Sequence, residues 1–189
     1  MVLLLICGLS AHAQKVAVKT NLLYGAGTLT PNLGVEFGLG KRTTLDLSGG
    51  FNPWNVEEAA DNKKWAHFLI QPEFRYWLCE RFNGHFFGVH GLYSEYNIGG
   101  IEIPNIFGSD PLFNKNNRYE GSAYGGGLSY GYHWMWGKRW GMEFTLGVGA
   151  VYTTYDKYGC DMCADHVGTG DKLYFGPTKA GITLVYLIK

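Results

Sequence analysis

Apolar and polar residues alternate with period two through eight separate segments of this 189-residue chain, and that alternation limits the fold more than any other feature. In "WAHFLIQPEFRYWL" (65–78), Phe68, Ile70, Phe74, Tyr76 and Leu78 share one parity, while Gln71, Glu73, Arg75 and Trp77 share the other. The seventh segment is the cleanest: Met142, Phe144, Leu146, Val148, Ala150 and Tyr152 face away from Glu143, Thr145, Gly147, Gly149 and Thr153. The other segments run over about 16–24, 32–39, 43–51, 86–96, 124–134 and 179–188. Helical periodicity is missing, and no apolar stretch after Lys15 is long enough to cross a bilayer as a helix. The chain is predicted to be all-β, one domain over residues 14–189.

The connections sort by length. Those after segments two, four and six are short: 40–42, 79–84 and 136–141. Those after segments three, five and seven are longer: about 52–64, 97–118 and 156–171; only the first connection, near "AGTLTPN", breaks the long set by being short. Short turns at one rim and long loops at the other are the layout of an eight-stranded antiparallel up-and-down transmembrane β-barrel. Parity alone does not say which face is which. A soluble lipocalin-like barrel would turn the bulky set inward around a hydrophobic ligand; a membrane barrel would turn it outward to lipid. The opposite parity is rich in Gly, Ser and Thr, which suit a crowded eight-stranded interior. Trp54, Trp65, Tyr76, Trp77, Trp134, Trp136, Trp140 and Tyr186 collect near segment ends, as interfacial girdles do. These features favour a monomer in outer-membrane lipid. Lys19, Glu36, Asp46, Glu73, Arg75, Glu143 and Lys179 would then share the lumen as a charge network, either as an internal filling of ion pairs or as a gated ion path. Pro72 interrupts a strand and predicts a bulge there.

The start, "MVLLLICGLSAHAQ", reads as a signal peptide over residues 1–13, with Ala11-His12-Ala13 before the cleavage point. It has no basic n-region, which points to truncation at its N-terminus. Formal net charge is zero, with no basic arm and no nucleic-acid signature.

Candidate chemistry is sparse. Cys160 and Cys163 form a C-x-x-C pair in the last long loop, and in an oxidising compartment a local disulfide is expected. The weaker alternative is a metal site of Cys160, Cys163 and His166. No nucleophile motif accompanies His67, His85, His90 and His133, although His90, His133, Ser94 and Ser129 fall on lumen parity. The expectation is a non-enzyme without cofactors; a rim-active membrane hydrolase is the remaining alternative. The 99–121 loop carries Ile101, Ile103, Ile106, Phe107, Leu112 and Phe113, which would serve as a lid or a docking surface.

The stretches "KTNLLYGAGTLTPNLGVEFGLG", "QPEFRYWL", "FFGVHGLYSEYN", "GGGLSYGYHW" and "YFGPTKAGITLVYLIK" resemble DUF3575, a family of small outer-membrane β-barrel proteins of Bacteroidetes. The resemblance covers about residues 15–189. It implies an eight-stranded barrel reached through a secretory signal, and a link to surface fimbriae without an established activity. The ending "AGITLVYLIK" is similar to the C-terminal strand signal read by the barrel assembly machinery, except that it closes on Lys189 and not on an aromatic residue.

Overall fold

The computed structural model describes residues 16–28, 30–53, 55–57, 63–100, 117–159 and 166–188. Nine strands form in chain order: β1 (Val16–Asn21), β2 (Asn32–Gly38), β3 (Thr43–Asn52), β4 (Asn55–Glu57), β5 (Lys63–Trp77), β6 (Gly84–Gly99), β7 (Asn117–Met135), β8 (Trp140–Gly159) and β9 (His166–Ile188). A short helix, α1 (Leu22–Thr28), follows β1. Every pairing between neighbours is antiparallel, and β1 pairs with β9 while β3 pairs with β5. Eight strands therefore close into a ring, with β4 as a small addition beside β5.

The stagger of the ring follows from its register. One row runs from Leu187 on β9 through Ala17, Glu36, Asp46, Glu73, His90, Gly127 and Gly149, and returns to β9 at Gly176. Gly176 lies eleven residues from Leu187, and one of those is Thr178, skipped where β9 shifts register against β8. Ten paired residues at about 3.4 Å each, set against eight strand spacings of about 4.8 Å, tilt the strands by about 40°.

The bulky parity faces outward. Leu33, Leu47, Phe74, Val89, Leu128, Tyr130, Leu146, Val148 and Phe175 are all exposed, and Leu128 is 64% exposed. The charged parity is buried: Glu36, Glu73, Arg75 and Glu143 are almost fully enclosed.

Three expectations need correction. Trp77 does not belong to an outer girdle; it is 0% exposed and lies inside the base of the ring. Trp65 is half-buried on the same inward parity, packed edge-on against His67. Trp134, Trp136 and Trp140 are exposed, and Trp140 packs on Tyr186 near the short-turn rim. Pro72 causes no bulge. It keeps register with Leu47 on β3; on the β6 side the ladder lapses between Ile70↔Tyr93 and Glu73↔His90 and resumes without a shift. Bulges lie in β9 instead, at Thr178 and at Val167, and the short β4–β5 ladder shifts register between Asn55 and Glu57.

The first segment ends early. β1 stops at Asn21, whose side-chain oxygen accepts the Leu23 amide at 3.0 Å, which makes Asn21 the N-cap of α1. The later strands run longer than the alternation does. β8 reaches Gly159 and β9 starts at His166, so most of the expected 156–171 loop is strand, with β8 paired there to β7 as well as to β9. At 156–159 and 166–171 every position is exposed or half-buried, so neither face is enclosed and the alternation weakens.

Candidate lumen charge site

The inward residues assemble around Arg75. Its Nη1 lies 3.0 Å from Glu36 and 2.9 Å from Glu143; its Nη2 lies 2.9 Å from Asp46 and 2.6 Å from Glu73. Nε donates to Glu73 at 2.7 Å. A guanidinium suits this position because its fixed fork can serve several carboxylates in different directions. Lys19 pairs with Glu36 and, at 2.8 Å, with Glu143. Lys179 pairs with Glu73 at 2.8 Å and approaches Asp46 at 3.9 Å. All seven residues expected in the lumen network are thus brought together, from β1, β2, β3, β5, β8 and β9.

Hydroxyls on the same inward parity complete the set, although alternation does not say which carboxylate each one meets. Thr44 donates to Glu36, Ser129 to Glu73, and Thr145 to Glu143 at 3.0 Å. Gly88 on β6 leaves the space in which Glu73 and Ser129 meet; a Cβ there would overlap both. Three cations face four carboxylates in this group. Asp46 Oδ1 is the carboxylate oxygen of the set that makes no hydrogen bond among the described residues. Asp46 lines a cavity of about 40 Å³ with Lys19, Asn32, Gln71 and Tyr24, and such a space holds a few waters.

An apolar floor seals the network on the short-turn side. Ala17, Trp77, Phe82, Phe86 and Val185 form one buried cluster. The Arg75 guanidinium lies 4.5 Å from the Phe86 ring centroid, and Trp77 Nε1 donates to Thr44 at 2.9 Å. Phe82 comes from the turn between β5 and β6 and is held at φ 62°, a left-handed conformation that packing beneath Trp77 must sustain. Its place in a turn gave no sequence signal. On the other side, Gln71 donates to the Thr178 carbonyl at 3.1 Å, and His90 meets the Thr178 hydroxyl at 2.8 Å. The bulge at Thr178 therefore brings that residue to inward partners.

The histidines and serines on lumen parity do not pair with one another. Ser129 is bonded to a carboxylate, and His90 to a threonine. His133 packs against Trp77 at 6.0 Å between ring centroids. His85 faces outward and meets the Tyr130 hydroxyl at 2.6 Å. His166 is exposed beside Asp156, 3.4 Å away, and edge-on to Tyr158. Cys160 and Cys163, the expected disulfide or metal pair, lie outside the described residues, as do Ile101, Ile103, Ile106, Phe107, Leu112 and Phe113 of the expected docking loop. The signal-peptide reading of residues 1–13 also falls outside them.

No curated protein and no solved structure matches the chain. A family model described as "Protein of unknown function (DUF3575)" matches residues 1–188. A match of that extent makes the resemblance seen in the sequence a membership: the chain belongs to the DUF3575 family.

Proposed function

We propose that this chain is an outer-membrane protein whose ring spans the bilayer as a monomer, and that it serves a structural or surface-interaction role without chemistry of its own. The observation that carries the reading is the outward belt. On β7 it runs from Tyr124 through Leu128, Tyr130 and Tyr132 to Trp134, with no outward Asp, Glu, Lys or Arg. Outward positions 87–93 on β6 and 142–152 on β8 are equally free of charge. Ten steps of about 3.4 Å at about 40° of tilt give a belt about 25 Å tall, the height of a hydrocarbon layer around an outer-membrane barrel. In water such a continuous apolar surface would drive association.

The lumen argues against the lipocalin-like alternative. A pocket for an apolar ligand needs a few hundred Å³ lined mostly by apolar groups. The space above Arg75 is about 40 Å³ and is lined by Lys19, Asp46, Asn32 and Gln71; the wider space of about 1080 Å³ at the long-loop mouth is open to solvent and carries Glu95, Asn97, Glu120 and Asp156 among its walls. Passage through a secretory signal, insertion by the barrel assembly machinery and fimbrial proteins as partners are the further parts of the proposal that the family resemblance supports.

Heat-modifiability tests the membrane reading. The membrane fraction is run on an SDS gel with and without boiling. The expected result is a faster band in the unboiled sample, the mark of a closed ring that resists detergent. Recovery in the soluble fraction with no band shift would refute the proposal.

A further inference from the structure

One edge of the ring is unfinished. The β1–β9 ladder ends at Asn21↔Thr183, yet β9 continues upward to His166. The outward residues of β9 direct their backbone groups toward the β1 side. The Ile182 amide donates to Asn21 Oδ1 at 3.3 Å, and the Ala180 carbonyl accepts from Asn21 Nδ2 at 3.0 Å. The Asn21 side-chain amide thus stands in for a strand residue that is not there. Pro177, which has no amide to leave unpaired, sits on the outward parity farther along this edge.

The missing rungs are present in the sequence. If β1 continued in register, Leu22 would oppose Ile182, Leu23 would oppose Gly181, and Tyr24 would oppose Ala180. Leu22 and Tyr24 would then extend the outward row of Val16, Val18 and Thr20, while Leu23 and Gly25 would extend the inward row. Gly181 carries no side chain to obstruct Leu23. In α1 Leu22 and Leu23 gain little by comparison. The helix has seven residues and contains Gly25, and Leu22 and Leu23 are each 43% exposed. Short helices with internal glycine have little stability of their own. Tyr24 meanwhile lines the cavity above Arg75 with Asn21, Gly181 and Thr183.

We propose that Leu22–Tyr24 is a latch with two forms, the helical turn seen here and a strand extension of β1 that pairs with the open edge of β9. In the strand form Tyr24 leaves the cavity wall for the outer face and Leu23 turns in beside Gly181. In the helical form the wall between β1 and β9 is incomplete above Asn21, beside the cavity that Asp46 lines. The latch gives that cavity a lateral door. The inference rests on the register of the ring and not on the membrane reading.

Disulfide trapping tests it. In a chain with its native cysteines replaced by Ser, the pair Leu23→Cys and Gly181→Cys is oxidised under mild conditions. The pair Val18→Cys and Tyr186→Cys, already opposite one another, is the control. The expected result is a crosslink at both pairs, with the first forming about fivefold more slowly when Gly25→Ala is added, since that change favours the helix. Nothing lies within 4 Å of a Cβ at Gly25, so the substitution causes no clash. A crosslink at the control pair alone overturns the latch. So does a 23–181 crosslink whose rate ignores Gly25→Ala. If the Gly181 variant fails to fold, the outward pair Leu22→Cys and Ile182→Cys gives the same reading.

Discussion

At the scale of single residues, Arg75 carries the interior. Four carboxylates converge on one guanidinium, so its removal leaves several buried charges without their main partner. Arg75→Met is expected to cost at least about 3–5 kcal/mol, the usual penalty for breaking a buried pair from one side. Urea unfolding in detergent, followed by tryptophan fluorescence, measures it. Arg75→Lys should recover little, because an ammonium cannot reproduce the fork. A glycine makes the second residue-scale case. A Cβ on Gly127 would overlap the Val148 carbonyl and come 2.8 Å from the Gly149 Cα, both backbone. Gly127→Val is therefore expected to abolish the heat-modifiable form, whereas Gly137→Ala, with open space around it, should leave that form intact. The seven charged residues were legible from parity alone. The partners of Thr44, Ser129, Trp77 and Phe82 were not, since nothing in a hydroxyl, an indole or a turn residue says which carboxylate or ring it will meet.

At the scale of elements, the two faces of each strand differ in what they tolerate. Leu128 and Leu146 lie mid-belt and are 64% and 61% exposed. In a bilayer, Leu128→Arg is expected to destabilise by about 2–4 kcal/mol, and Tyr124→Arg at the belt edge by about 0–1 kcal/mol. A soluble ring would accept both without loss, so refolding into lipid vesicles across a urea series separates the two cases. Strand positions were readable wherever one face is apolar and the other enclosed. The outer ends of β8 and β9 were not, because neither face is enclosed at 156–159 and 166–171. α1 escaped for a different reason. "NLLYG" continues the strand pattern, and its helical turn depends on the Asn21 cap and on Tyr24 reaching a cavity that exists only when the ring has closed.

For the whole molecule, closure and filling decide what the ring can do. With Arg75 and its partners across the lumen and Trp77, Phe82 and Phe86 beneath them, no open aqueous path remains beside these residues. Purified protein in planar bilayers is expected to show no discrete conductance steps; steady ion-selective steps would mean that the charge network opens. Sequence by itself determined the strand class, the number of ring strands, the sorting of connections and which residues share the inward parity, because pleating imposes a period of two on any strand with unlike faces. Small residues mark the inward parity, and closure settles it: side chains as large as Phe74 and Leu128 do not fit an eight-stranded interior already filled by ion pairs. Ring closure decided the convergence on Arg75, the packing of Trp77 on Phe82 and Phe86, the bulge at Thr178 and the early stop of β1. Each of these depends on a neighbour brought in by ring closure from far along the chain, and local pattern holds no record of such neighbours.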